Sequence, residues 1–440
     1  MRNEGEPTSI PVDQQVNATI LEPSTSPLKK PARRKSWLLG TGLTDVLLLG
    51  GGYWANENPD NAAEFSRSVI GDERTAWLES KVLYLKDQRD QLEYKIFGED
   101  KIPFTQNHEV VTNSQFPEFQ SQETLQQSSA GSTRPASDEP FEFVPTEIPK
   151  PKPMVLPETT IIQPEAAEGE GVWSVDGLPR TSIDDVLMAK TYIKPDIARP
   201  YANVGVLLLD KRRAKLNIMG GKNDPKAQAN AGVPEVDIPN LLVAFNGGFQ
   251  LEHGSWGMYT SGKEYKKLQN GYASIAVLSD GTIKMGTWGE GELTQRTEDM
   301  VAVRQNCVLL VQNGEVTPMA KSQGTNNNVW GYVDVNSAEF ITWRSAIGLT
   351  KEGHIMIASG NSLSAKSLAE GLKAVGADVA MQLDINNPYV QTSLFFQQEG
   401  GTLKSSLFMD TMPDKNSRRY LASQNRDFMY ITLDETKYKP

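Results

Sequence analysis

Three stretches of the chain gather residue types able to do chemistry. The run "AMQLDINNPYV" (380–390) brings an apolar segment to a stop at Asp384, followed closely by Asn386 and Asn387. A carboxylate at a strand's end, beside a loop, can serve as acid, base or nucleophile. The two carboxamides next to it both donate and accept hydrogen bonds. The run "AFNGGFQ" (244–250) stops in the same way at Asn246-Gly247-Gly248. Adjacent glycines let a backbone turn sharply and let a ligand approach it closely, although Asn-Gly is also a common hairpin turn. In "WRSAIGLTKEGHIMIASGN" (343–361), Arg344 heads a strand. Its planar guanidinium can grip an anion there, or form a surface salt bridge. His253, in "FQLEHGSWGMY", follows the glycine turn and is the histidine placed to reach the same cleft.

What the chain lacks narrows the chemistry. It has no HExxH pattern, P-loop, dinucleotide fingerprint or Ser-His-Asp order, so neither metal nor cofactor is expected. Its single cysteine, Cys307, sits in the apolar run "RQNCVLLVQNG". One cysteine excludes a disulfide framework and a cysteine-based zinc site, and Cys307 reads as a small buried hydrophobe. The formal net charge of −11 argues against nucleic acid as a partner, because phosphate backbones call for a basic face.

The elements that must position these residues occupy the C-terminal part of the chain. Residues 1–35 read as a disordered tail ending in the basic cluster "KKPARRK". The stretch "SWLLGTGLTDVLLLGGGYW" (36–54) has about the length needed to cross a bilayer and carries aromatic residues at both ends. It predicts a signal anchor in a single-pass membrane protein, with the N-terminus cytoplasmic and the C-terminal domain extracytoplasmic. Asp45 within it costs roughly 2.5–3.5 kcal/mol on insertion scales, which keeps a cleaved signal peptide and a buried soluble helix open as readings. Residues 60–98 predict a juxtamembrane helix. Leu78, Val82, Leu85, Leu92 and Ile96 form a seam with Arg89 in its gap. That seam suits a homo-oligomer formed through 60–98, or packing against the neighbouring domain. Residues 99–170, rich in Pro, Ser, Gln and Glu, predict a linker.

From 171 to 440 the pattern is globular. Apolar runs at 204–210, 241–248, 273–279, 307–314, 344–350, 354–359, 378–384 and 428–434 read as strands, several separated by turn signals. "SAKSLAEGLKAVGA" (364–377) reads as a helix capped by Ser364 or Ser367 and followed by Gly376. The expected fold class is α+β: one large strand-rich domain with few helices.

In order along the chain, "FNGGF", "SIAVLSDGTIKM", "VLLVQNGEV", "RSAIGLTKEGHIMI" and "SLAEGLKAVGADVAMQLD" resemble the phosphodiester glycosidase domain family. That family includes the lysosomal uncovering enzyme and bacterial envelope proteins. The resemblance spans roughly 200–434. It implies a glycosidase that cleaves the bond between a sugar's anomeric carbon and the phosphate of a phosphodiester, on a sugar-phosphate or an envelope or extracellular polysaccharide. The residue types fit that chemistry. Arg344 can hold the phosphodiester charge, and Asp384 can stabilise or attack an oxocarbenium-like state. The Asn246-Gly247-Gly248 turn can present backbone N–H groups, with His253, Asn386 and Asn387 on the substrate side.

One departure stands against full activity. The family pattern continues from the aspartate into "LDGGGS", whereas this chain has Asp384-Ile385-Asn386-Asn387-Pro388-Tyr389. A glycine loop wraps closely round a phosphate, and proline also lacks the N–H. Two main readings follow: a hydrolase with altered specificity, or a catalytically silent domain that binds glycan or phosphodiester. A self-associating envelope scaffold is a third.

Overall fold

Antiparallel pairing carries the architecture. The computed structural model describes residues 69, 71–98, 102–104, 153–434 and 436, apart from 228–229, 255, 326, 332–339 and 388. The first strands are β1 (Met188–Ile193), β2 (Val204–Leu209), β3 (Ala214–Met219), β4 (Leu241–Asn246), β5 (Met258–Thr260) and β6 (Lys263–Lys266). The middle of the domain supplies β7 (Ala273–Leu278), β8 (Ile283–Thr287), β9 (Met300–Gln305), β10 (Leu309–Gln312) and β11 (Glu315–Val316). The last group is β12 (Thr342–Thr350), β13 (Ile355–Leu363), β14 (Ala377–Ile385), β15 (Thr392–Gln397), β16 (Leu403–Leu407) and β17 (Phe428–Leu433). They form three sheets, ordered β1-β2-β13-β12-β14-β10-β11, β16-β15-β4-β17-β3 and β6-β5-β9-β7-β8. This is the expected strand-rich domain with few helices, and all eight apolar runs fall on strands.

One hydrophobic core joins the sheets. Ile347 and Met381 reach it from the first, Val243 and Met429 from the second, and Ile275 and Ala302 from the third. Strand periodicity explains the second sheet's two apolar faces. Met429, Ile431 and Leu433 of β17 enter this core, while Phe428 and Tyr430 point to a smaller cluster on the other side. The helix Ala365–Ala374 packs against β10 and β14 of the first sheet. Ser364 caps it in a reciprocal box with Ser367, and Gly376 follows at a φ of 82°. Such a left-handed C-terminal position favours glycine.

The N-terminal expectations meet the structure unevenly. The stretch 36–54 lies outside the described residues, and among the described residues no helix is long and apolar enough to cross a membrane. The helix expected over 60–98 is described as Asp72–Phe97 and ends at Gly98 in a left-handed cap. It meets the domain through a mixed face: Leu83 packs against the main core, and buried Asp87 receives Arg199 Nε and Nη2, both at 2.9 Å, and the Tyr201 hydroxyl at 2.9 Å.

Of the linker expected over 99–170, residues 105–152 lie outside the described residues, and those from 153 on pack against the domain. Met154 and Leu156 are buried in the main core, and the Trp173 indole N–H donates to Pro157 O at 2.9 Å. Phe104 packs against Phe408 with ring centroids 5.2 Å apart. Burial of these apolar side chains outweighs the polar composition around them.

Candidate active site

Asp384 reaches its position through an irregularity in pairing. Between β12 and β14, Arg344 opposes Ile385, whereas Ala346 opposes Gln382. Ser345 therefore faces both Leu383 and Asp384. A bulge of this kind bends the strand and re-aims a side chain that would otherwise follow the alternation. The Ser345 hydroxyl fixes the bulge by donating to Asp384 O at 2.8 Å, and Asp384 N donates to Gly247 O at 2.9 Å. Asn246 ties the two sheets together from the other side. Its Nδ2 donates to Ser345 Oγ at 2.8 Å, and its Oδ1 accepts from Gln391 N at 3.1 Å.

Asp384 then lines a polar pocket of about 120 Å³ together with Asn246, Tyr389, Arg419, Arg426 and Asp427. Its carboxylate is only 4% exposed. Oδ1 accepts the Ile385 N–H at 2.8 Å and Oδ2 accepts Arg426 Nη1 at 2.9 Å. Burial raises its carboxyl to about 6, against the opposing pull of Arg426 and the Ile385 N–H. The Arg426 guanidinium lies flat over the Tyr389 ring, 3.6 Å from its centroid. That stacking orients the cation at the pocket.

Behind the pocket sits a fully buried ion pair, Arg304 with Asp427. Arg304 Nε donates to Asp427 Oδ2 at 2.8 Å and Nη1 to Gln305 O at 2.6 Å, and Nη2 also donates to Phe249 O. Asp427 in turn accepts from the glycine turn: Gly248 N meets Oδ2 at 3.2 Å and Gly247 N meets the backbone carbonyl at 3.1 Å. Asp224 stands nearby, its carboxyl raised to about 6 by burial and by the Asp427 charge, while its Oδ2 accepts Leu251 N at 3.1 Å.

These contacts correct several expected roles. The Gly247 and Gly248 N–H groups do not face a substrate, because Asp427 takes both. The glycines are required by packing instead: a Cβ on Gly247 would overlap the Asp427 carboxylate, and one on Gly248 would crowd Arg304. Gly247→Ala should therefore destabilise the fold by about 1–3 kcal/mol, the range for overpacked sites; equilibrium denaturation of the variant measures it.

Arg344 does not grip an anion in a cleft. It is 1% exposed, and its guanidinium donates to Leu363 O at 3.0 Å, Trp330 O at 3.3 Å, Gln382 Oε1 at 2.6 Å and Phe340 O at 2.8 Å. It fastens loops to the head of β12. Asn386 is also structural. It adopts a left-handed φ of 71° and its Oδ1 accepts the Thr342 hydroxyl at 2.8 Å. Asparagine tolerates that region, so Asn386 supplies a conformation otherwise typical of glycine. Asn387 is exposed, His253 is half-buried on the short turn Leu251–His253, and neither lines the pocket. Cys307 is buried, and burial pushes its thiol up to about 12, in keeping with a hydrophobic role. Among the described residues no group of three His, Cys, Asp or Glu side chains is placed to hold a metal ion.

The reading from sequence missed Arg304, Arg426 and Asp427. Each carried a local signal: "VRQN" places an arginine at the end of an apolar strand, and "NRDFMYITL" puts Arg-Asp at the head of one.

A strand-end carboxylate and an aromatic-stacked guanidinium line one polar pocket between two antiparallel sheets. Residues 239–384 match the model of the phosphodiester glycosidase family. The match takes in Asn246, Arg304, Arg344 and, at its last residue, Asp384, and it stops before Arg426 and Asp427. Among solved structures, the chain is similar to the catalytic domain of zebrafish N-acetylglucosamine-1-phosphodiester alpha-N-acetylglucosaminidase, auto-inhibited by its pro-peptide. Identity is 17% over 58% of this chain and 87% of that one, with a TM-score of 0.37. It is also similar to a hypothetical protein from Synechocystis, at 13% identity over 53% of this chain and 59% of that one, with a TM-score of 0.30. No curated protein matches the chain.

Proposed function

We propose that the domain hydrolyses the glycosidic bond of a sugar-1-phosphodiester, with Asp384 as the catalytic carboxylate and Arg426 as the phosphate-binding cation. The observation that carries this reading is the bulge that turns Asp384 into a polar pocket beside Arg426. A phosphodiester bears one negative charge, which a guanidinium held over an aromatic ring can receive. Its phosphate departs as a stable anion and needs little protonation. One carboxylate therefore suffices: ionised Asp384 takes a proton from water as that water attacks the anomeric carbon. The carbon–oxygen bond breaks with its electron pair leaving on the phosphate. Arg344, Gly247 and Gly248 act as supports for this geometry.

The basic-then-apolar stretch 29–54 supports an anchored domain facing out of the cytoplasm, with envelope polysaccharide as its substrate. Protease shaving of intact cells tests that orientation; a domain protected until lysis contradicts it.

Two outcomes are expected with a chromogenic sugar-1-phosphodiester panel. The Arg426→Ala variant raises KM more than it lowers kcat. Activity rises with pH through about 6 as Asp384 ionises. Asp224 carries a carboxyl raised to a similar value, so Asp224→Asn is the control: it should keep the acid limb. A limb lost with Asp224 instead of Asp384 would move the catalytic assignment.

The tie-up of the Gly247 and Gly248 N–H groups favours a second reading, a silent domain that binds phosphodiester without cleaving it. Binding that depends on Arg426, with no turnover of any panel member, would select it.

A further inference from the structure

The helix Asp72–Phe97 docks on the domain through Asp87, Tyr94 and Leu83, the last packed against the main core. Asp87 is clamped by Arg199 and Tyr201, and Tyr94 packs against the Tyr201 ring at 5.8 Å. Thr75, Ser80 and Asp90 are buried along with Asp87. The clamp stops the helix from rolling. Four of its apolar side chains, Leu78, Leu85, Leu92 and Ile96, share the side turned away from the domain and are 43–62% exposed. Such a contiguous stripe marks an interaction surface.

The spacing selects the occupant. Leu78, Leu85 and Leu92 recur every seven residues, and Val82, Arg89 and Ile96 recur every seven between them. Those are the d and a positions of a heptad, the period at which two helices interlock side chains. The steps along it alternate between four and three residues, as in a seam between two helices. At 26 residues the helix is about 39 Å long, and the Leu78–Ile96 seam takes up just under three heptads of it. Acidic and basic residues interleave along it, so a second copy brings no single-sign repulsion. We infer that two copies of this chain pair through the Leu78–Ile96 seam as a coiled coil, leaving both Asp384 pockets on domains clamped to the outside of the pair. Arg89, held to Asp90 at 2.8 Å, places one polar layer in the seam, a device that selects register at some cost in stability.

The test uses the full chain in mild detergent. Cys307 is buried and its thiol pushed up to about 12, so an introduced cysteine is the reactive one. Under mild oxidation, Leu85→Cys and Leu92→Cys should each give a covalent dimer. Val236→Cys, exposed elsewhere on the domain, should not. By sedimentation equilibrium the unmodified chain should be dimeric and Leu85→Glu monomeric, with unchanged turnover per domain. A monomer at every concentration overturns the proposal, as does a dimer that survives Leu85→Glu. A chain that stays monomeric yet floats with vesicles only while the stripe is intact also overturns it, assigning the stripe to lipid instead.

Discussion

Asp384→Asn should lower turnover by roughly 10²–10⁴-fold, the contribution of a positioned acid–base group, while leaving the protein at least as thermostable at neutral pH. The stability half follows from burial, which raises the Asp384 carboxyl to about 6 from its ordinary 3.8. A carboxyl raised by folding favours the folded state in its neutral form. That contribution is fully present below about pH 4 and is lost as pH rises through about 6. At pH 7.5 the buried charge burdens the fold by an amount on the order of 2–3 kcal/mol, which the neutral amide removes. The lost partner of Arg426 offsets part of that gain. Thermal unfolding at pH 7.5 and pH 4 should show the variant's advantage shrinking in acid. A clear loss of stability at pH 7.5 would make Asp384 a structural clamp for Arg426. Stability given up at a site in exchange for activity is a familiar pattern.

Arg304→Ala should produce the largest stability loss, about 3–5 kcal/mol, the range for breaking one side of a buried pair. Arg304 is fully buried, and its removal leaves the Asp427 carboxylate without its cation and takes the guanidinium donors away from Phe249 O and Gln305 O. Asp427 also holds the Gly247-Gly248 turn, so the pocket should loosen with the fold. Chemical denaturation measures the effect, and a loss under 1 kcal/mol would show that the pair is dispensable. Because removing both charges can be nearly neutral where removing one is not, Arg304→Met with Asp427→Leu should recover part of the stability and none of the activity.

The fold was legible where burial is two-sided. β2, β4, β7, β12 and β17 are buried along their whole length, and continuous apolar runs announce them. β6, "KEYK", and β8, half-exposed throughout, escaped because no apolar pattern marks a strand whose side chains meet water. The helix Ala365–Ala374 was readable down to its caps because capping is local chemistry.

Of the residues singled out from the sequence, Asp384 and Asn246 line the pocket. Arg344 stands at a strand head, just where an anion-binding arginine would, and nothing nearby in sequence distinguishes the two roles. Its acceptors come from residues 330, 340, 363 and 382, which only the folded chain assembles. Arg304 and Asp427 lie 123 residues apart, so neither announces the other. The bulge that turns Asp384 depends on a mismatch between two strands, which no single strand encodes. The departure from the glycine loop proves milder at one point, since Asn386 takes a left-handed conformation.

The most direct test of the central claim is to run the hydrolysis of a sugar-1-phosphodiester by the full chain in ¹⁸O-labelled water. Attack at the anomeric carbon predicts the label in the released sugar, with none in the phosphate product and none released by Asp384→Asn. Label in the phosphate would mean that the phosphorus–oxygen bond breaks and the protein is a phosphodiesterase of another kind, which would contradict the account.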